Sequence, residues 1–426
     1  MLDRKFIVEN PEHVLRNCRH RQAEVDVHQL VELERQRREK LNQVQQLNRR
    51  ANEVSKTIGQ ARDDQEREAR KAEGRRLREE KDAAQFEHDQ LESAVQQLQL
   101  AIPNLSHPDS PIGDESANRE LWRGAAAVTE FDFEPRDHVA ICDRLDLLDL
   151  AGGARTTGHG FYFLKNEAVL LELALQRYAL DLLLDAGFTP TITPDLARDT
   201  IVAGAGFLPR GPETQIYSIE NSELSLVATA EITLGGLYAE QTLSAEQLPI
   251  KLCGISHCYR TEAGAHGRAT RGIFRVHQFT KLEMFAFTRP EESEAMLDHF
   301  CQLECRIFDG LEIPYRVIDT ATGDLGGPAY RKFDLEAWMP GRGEFGEVTS
   351  TSNCTDYQAR RMNVRYKIPG QKGTQFVHTL NGTAVAISRA LIALLENHQQ
   401  ADGSVVIPEA LRPWVGKPRI TGRVNP

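Results

Sequence analysis

The sequence predicts an α+β protein: an N-terminal antiparallel two-helix coiled-coil arm, followed by a mainly antiparallel sheet flanked by helices. Three observations carry this. Residues 27–100 hold no proline and only two glycines, Gly59 and Gly74. A Pro-rich segment, AIPNLSHPDSPIGDESANRE, follows at 101–120 and has no periodicity. Beyond it, helix-like and strand-like runs mix without the regular alternation of a doubly wound fold.

In the arm, apolar residues recur at Leu30, Leu33, Leu41, Val44, Leu47, Ala51, Val54 and Ile58, mostly three or four apart. A second run places Leu77, Ala84, Leu91 and Leu98 seven apart, supported by Val95. Two helices of about thirty residues, each with one apolar seam, fold back on each other across the polar stretch GQARDDQERE. Such a hairpin is roughly 45 Å long at ~1.5 Å per residue. The segment balances 15 Lys+Arg against 15 Asp+Glu. Its arginines crowd toward the tip and the start of the second helix, among them Arg49, Arg50, Arg67, Arg70, Arg75 and Arg78. Solvated faces with i,i+4 pairs, a dimerisation device and a grip for a nucleic-acid backbone all fit that pattern, and the arm alone does not decide.

At 426 residues with a net charge of -11, the chain suits two or three domains and does not suit a general nucleic-acid coat. Domains are expected at 1–103, with a helical hairpin over about 27–100, and at 121–426, joined by a linker at 104–120. Seven cysteines with no CxxC pair read as buried thiols in a reducing compartment ahead of a zinc site. The start MLDRKFIVENPEHV lacks an apolar leader core, and no run reaches the ~18 apolar residues of a membrane span. A soluble, cytoplasmic protein is expected.

In the second half, EAVLLELALQRYALDLLLDAGF (167–188) reads as an apolar helix closed at Gly187, and TPTITP as extended. Strands are expected in QIYSI, LSLVATA, KLCGISHCYR, IFRVHQFTKLEMFAF and YRVID. A last helix is expected in TAVAISRALIALLENHQQ. P-loop, HExxH and GxSxG motifs are absent, and GAGFLPRG (204–211) is spoiled as a dinucleotide loop by Pro209. What stands out is CYRTEAGAHGRATRGIFRVHQFTKLEMF, where Arg260, His266, Arg268, Arg271, Arg275 and His277 fall within eighteen residues. Alternation from Phe274 to Lys281 has the period of a strand, so the end arginines are expected on rigid pleats about a Gly-rich loop, a layout for gripping an anion. Arginine's planar fork suits a triphosphate. Arg389, within an otherwise apolar helix, needs a partner. Glu347 with Ser350 offers a carboxylate and a hydroxyl for a magnesium ion carried on nucleotide phosphates.

Over nearly its full length the chain resembles the bacterial-type seryl-tRNA synthetases, a family of class II aminoacyl-tRNA synthetases. The resemblance is carried by the arm, IPNLSHPDSP, HGFYFLKNEAVLLELAL, LVATAEI, YRTEAGAHGRATRGIFRVHQFTKLEMF, EFGEVTSTSNCTDYQARR, TLNGTAVAISRALIALLENHQ and VVIPEALRP. The long second motif and the asparagine–cysteine segment are specific together. The resemblance implies a class II catalytic domain that uses ATP and Mg²⁺ to activate L-serine and charge tRNA(Ser), leaving tRNA(Sec) open, in a homodimer away from any membrane. By position it implies Arg260, Arg389 and Glu347 as catalytic residues. Thr261, Glu262, Arg275, Phe279, Val348, Thr349 and Ser350 join them at ATP, and Glu347 and Ser350 at the metal. Serine falls to Thr229, Ala230, Glu231, Arg260, Glu283, Asn381 and Thr383. The arm then grips the long variable arm and elbow of tRNA, and Pro194 ends the motif used for dimerisation. Thr349 and Thr383 stand where the family commonly has serine, and Ala269 where it has aspartate. A catalytically dead relative and a truncated homologue that loads carrier proteins are the rival readings; the intact charged positions and the complete arm oppose them.

Overall fold

A computed structural model describes residues 1–209, 214–262 and 271–422. His266, Arg268 and Ala269, and the end of GAGFLPRG, lie outside the described residues. The chain divides into two units, Met1–Leu105 and Ser106–Pro426.

The first unit is the arm and its root. Helix α1, Val27–Thr57, and helix α2, Asp64–Ala101, run for 31 and 38 residues, so α1 alone is about 46 Å long. The turn is shorter than GQARDDQERE suggests. Asp63 caps α2 by accepting from the Glu66 backbone N–H at 2.7 Å, and Glu66 in turn accepts from the Arg62 N–H at 2.7 Å. The outer seam is thin, with Leu47, Leu77 and Ala84 buried and Val44, Ala51 and Val54 beside them. At the root, Val27, Leu30 and Val95 pack with Ile7, Val14 and Ile102 of the flanking segments. Between these apolar sets Glu34, 2% exposed, takes Arg37 and Arg38 at 2.7 Å each and Arg4 at 3.6 Å.

The second unit is built on eight strands: β1 (Arg119–Arg123), β2 (Thr189–Ile192), β3 (Ile250–Tyr259), β4 (Gln278–Thr288), β5 (Tyr315–Asp319), β6 (Arg331–Met339), β7 (Glu344–Thr355) and β8 (His378–Ala386). Their order is β1-β5-β6-β7-β8-β4-β3-β2, and every pairing is antiparallel except β2 with β3. Residues 106–118, expected as linker, are tied to this unit by His107 N–H to Tyr330 O at 2.8 Å and Asn118 Oδ1 from the Ala321 N–H at 2.7 Å. Helices α3 (Glu167–Asp185), α5 (Ser293–Gly310) and α6 (Ile387–Asn397) share one apolar core with the sheet. Helix α4 (Ala230–Gly236) belongs to a second, smaller core with Leu243, Phe285, Phe287 and Tyr366. All seven cysteines are free and buried. Among the described residues no helix is long and apolar enough to cross a membrane.

Four expectations need correction. QIYSI forms no strand; within it only Ser218 makes an isolated bridge, to Ser225. The run TAVAISRALI is not all helix: Thr383–Ala386 finish β8, and the helix starts at Ile387. An unbroken apolar run satisfies a central strand as well as a buried helix, and here both neighbours of β8 are strands. LSLVATA is strand only over Leu224–Leu226, because Thr229 caps α4. Finally, β4 begins at Gln278, not Phe274. Before it the chain turns aside: the His277 N–H donates to Gly160 O at 2.9 Å, and His277 O accepts the Arg260 N–H at 3.0 Å. Gly160 has φ +81°, and a side chain there would meet the His277 ring. The end arginines therefore flank strands; neither sits on a pleat.

Candidate active site

Strands β3, β4, β7 and β8 are consecutive in the sheet, and the residues singled out in sequence fall on them or at their ends. Arg260 follows β3. Phe279, Lys281 and Glu283 lie on β4; Glu347 to Ser350 on β7; Asn381 and Thr383 on β8; Arg389 in the first turn of α6. In the β4–β8 ladder Thr383 is directly opposite Glu283, and the register breaks between Thr383 and Val385. Such a bulge re-aims side chains beside a site.

The first feature is a cleft enclosing about 620 Å³, including space open to solvent. Arg260, Arg275 and Arg389 line it together with Glu262, Phe279, Glu347, Val348, Thr349 and Ser350. Arg389 donates to Glu347 O at 2.9 Å, lies 3.3 Å from its carboxylate, and covers the Phe274 ring at 4.6 Å. Arg260 lies over Phe279 at 5.4 Å and donates to Ala228 O at 3.3 Å. Arg275 pairs with Glu262 at 3.3 Å. Glu262 holds φ +49°, a left-handed conformation for a residue with a side chain, of the kind that persists where surrounding structure imposes it. Burial pushes the Glu347 carboxyl up, but the charges of Arg389, Lys332 and Arg260 outweigh it and hold it below its ordinary value. Glu347 and Ser350 present hard oxygen donors at the open cleft. That fits a magnesium ion completing its shell from phosphate and water.

The second feature is a buried acidic cluster beside the pairing of β4 with β8, made of Glu283 and Glu231. Glu283 is 2% exposed and ion-paired to Lys281 at 2.5 Å. The Thr383 hydroxyl donates to Glu283 at 3.3 Å and accepts from Lys281 at 3.5 Å. Glu231, on α4, accepts from Asn381 Nδ2 at 2.9 Å and Gln358 Nε2 at 2.7 Å, both on Oε1. Burial, and then the charge of Glu283, push its carboxyl up to about 7. Arg260 joins the two features by geometry: it lines the cleft, and its Nε donates to Ala228 O, at the residue just before Thr229 and the helix that carries Glu231.

Some expected residues stand apart from these groups. The Thr261 hydroxyl donates to Thr214 O at 2.7 Å. Thr229 caps α4, accepting from the Glu231 N–H at 3.2 Å, and Ala230 is fully buried. Thr349 lines the cleft, but its hydroxyl is turned away to Glu304 of α5, to which it bonds at 3.0 Å. Conversely, Lys281, Phe274, Ser388 and Gln358 were not singled out, though the first three line the cleft. Lys281 carried a signal, since a lysine two residues from a glutamate on one strand shares its face. On the arm, Arg49, Arg50, Arg67, Arg75 and Arg78 are exposed, whereas Arg70 bonds across the tip to Thr57 O and pairs with Glu66 of its own helix.

Residues 215–398 match the family model for the tRNA synthetase class II core domain (G, H, P, S and T); sheet and cleft together are a class II aminoacyl-tRNA synthetase core. Residues 1–106 match the seryl-tRNA synthetase N-terminal domain. A serine–tRNA ligase of Rhodopirellula baltica is 61% identical over 419 residues, 98% of each chain. Among solved structures, the seryl-tRNA synthetase of Pyrococcus horikoshii complexed with ATP superposes with TM-score 0.92 at 38% identity, covering 99% of this chain and 100% of that one. The cytoplasmic serine–tRNA ligase of Naegleria fowleri in complex with AMP gives 0.85 at 32%, over 99% of each. The chain belongs to the seryl-tRNA synthetase family.

Proposed function

We propose that this chain activates L-serine with ATP to seryl-adenylate and transfers the seryl group to the 3′ end of tRNA(Ser), as a homodimer in the cytoplasm. The observation that supports the reading best is Arg260, which lines the cationic cleft and bonds to the backbone just before the helix bearing the buried Glu231. Adenylate formation needs that adjacency: a serine carboxylate oxygen attacks the α-phosphorus in line as pyrophosphate leaves. No covalent catalyst is required, only alignment and neutralised charge.

Arg260 serves at the α-phosphate, touching both substrates. Arg389, in the first turn of α6, serves at the terminal phosphate, where the helix N-terminus also favours an anion. Phe279 offers a face for adenine, with Glu262 and Arg275 beside it. Glu347 and Ser350 would hold a magnesium ion, which would supply further neutralisation of the triphosphate. Glu231 and Glu283 receive the ammonium and hydroxyl of serine. Alanine then leaves a buried acceptor unpaired, which discriminates by ~10⁴ or more, whereas a methyl contributes only ~1–3 kcal/mol against threonine. Thr383, opposite Glu283, occupies the space in which that methyl would have to fit. Exposed apolar residues Phe163, Val169, Leu170, Leu173 and Ile192 support the dimer, and five exposed arginines support tRNA binding by the arm.

Amino-acid-dependent ATP–pyrophosphate exchange, run with serine, threonine, alanine and glycine in parallel, tests the reading. Exchange with serine alone is expected, falling about 10²–10³-fold in Arg260→Ala. No exchange with any of the four overturns it.

A further inference from the structure

Gln358 lies off the catalytic sheet, on the six-residue helix Tyr357–Met362, and is fully buried. Each of its side-chain atoms is committed. Nε2 donates to Glu231 Oε1 at 2.7 Å and to Ala205 O at 3.0 Å; Oε1 accepts from the Thr379 hydroxyl at 2.7 Å. The amide cannot be turned over, because a carbonyl and a carboxylate only accept, so the NH₂ must face both. Asn381 Nδ2 converges on the same Oε1 at 2.9 Å. Among the described residues Oε2 of Glu231 takes no protein hydrogen bond.

We propose that Gln358 is a positioning residue of the amino-acid pocket: with Asn381 it fixes Oε1 of Glu231 and leaves Oε2 for the substrate ammonium. The inference rests on the reading of Glu231 as part of the serine pocket. Its physical need is plain. Glu231 is buried near Glu283 of β4, and both circumstances favour the protonated acid, which would offer an ammonium no charge. Lys281 of β4, Arg260 after β3 and Lys332 of β6 are the cations that face it, the last across a shared cavity. The Gln358 hydrogen bond acts with Lys281 and Arg260 to oppose protonation. The Ala205 contact further ties this carboxylate to the end of the helix Asp199–Ala205.

The test uses the full-length enzyme and pyrophosphate exchange across pH. Gln358→Met keeps the length of the side chain and removes the donor. The KM for serine should rise about ten- to a hundredfold, the scale of a hydrogen bond to a charged group, while the KM for ATP stays. The acidic limb of kcat/KM for serine should move to higher pH, since without the donor Glu231 loses its proton later. Thr379→Val leaves the amide but removes its anchor, and should move both readouts the same way by less; it also serves if the methionine variant does not fold. Equal rises in both KM values with an unmoved pH limb mean a merely structural role and overturn the proposal. Glu231→Gln separates the two levels. If it raises the serine KM and Gln358→Met does not, the inference about Gln358 fails alone; if neither does, the pocket assignment fails with it.

Discussion

Glu304 shows how strongly one buried group can be conditioned by its surroundings. It is fully buried on α5, its Oε2 takes the Thr349 hydroxyl, and its Oε1 has no partner among the described residues. Burial first, and then the charges of Cys305, Glu283 and Asp334, drive its carboxyl well above the ordinary value. A folded pKa above the unfolded one means that unfolding releases a proton once pH exceeds the unfolded value of ~4.3. The protein therefore loses stability as pH rises from there toward the folded value, at ~1.4 kcal/mol for each unit separating the two. Glu304→Gln abolishes that dependence, so its stability relative to the parent should climb between pH 5 and pH 8 in urea denaturation. Parallel curves would count against a protonated Glu304. Neither Glu304 nor Gln358 was legible in the sequence. Each sits in a helical run whose neighbours explain it as surface, and only the fold brings Thr349, Glu231 and Ala205 against them. Arg260 and Arg389 stood out in the sequence as anion-gripping arginines and Glu347 as half of a carboxylate–hydroxyl pair, whereas their roles in catalysis came only from the family resemblance.

Among the elements, the arm was read most closely, since a 3.5-residue seam over thirty residues has few competing explanations. Its turn was misjudged because Asp63 and Glu66 look like loop residues until one caps the other's backbone. The end of β8 was misread for a different reason: a fully apolar strand has no period to betray it. At this scale the arm's role is testable. Deleting residues 35–95 and rejoining the helices with a short turn should leave serine-dependent pyrophosphate exchange intact. It should lower tRNA(Ser) charging about a hundredfold or more, the scale of losing several phosphate contacts. Undiminished charging would detach the arm from tRNA. Within the arm, the Glu34 cluster is a buried polar layer in a thin seam, the device that fixes helix register in coiled coils at some cost in stability.

At the scale of the whole molecule, the apolar residues exposed near the start of α3 are the feature hardest to reconcile with a lone chain. Leu173 of α3 is 57% exposed and Ile192, at the end of β2, 86%, and large apolar side chains left this bare are suited to an interface. Leu173→Glu combined with Ile192→Glu should convert the proposed homodimer, about twice 47.9 kDa, to single chains in sedimentation, with a drop in aminoacylation of about tenfold or more, by the rule that each ~1.4 kcal/mol lost is tenfold. An unchanged mass would place the interface elsewhere. The molecule also divides its tasks unevenly along the chain. Residues of the cleft and pocket are drawn from Thr229 to Arg389 and interleave across four strands, whereas the arm is one uninterrupted stretch, Val27–Ala101. In genetic terms, a single crossover near codon 105 exchanges one complete unit for another from a related gene. A single crossover between codons 229 and 389 instead mixes two parents' contributions to one site, so the arm can be exchanged whole where the chemistry cannot.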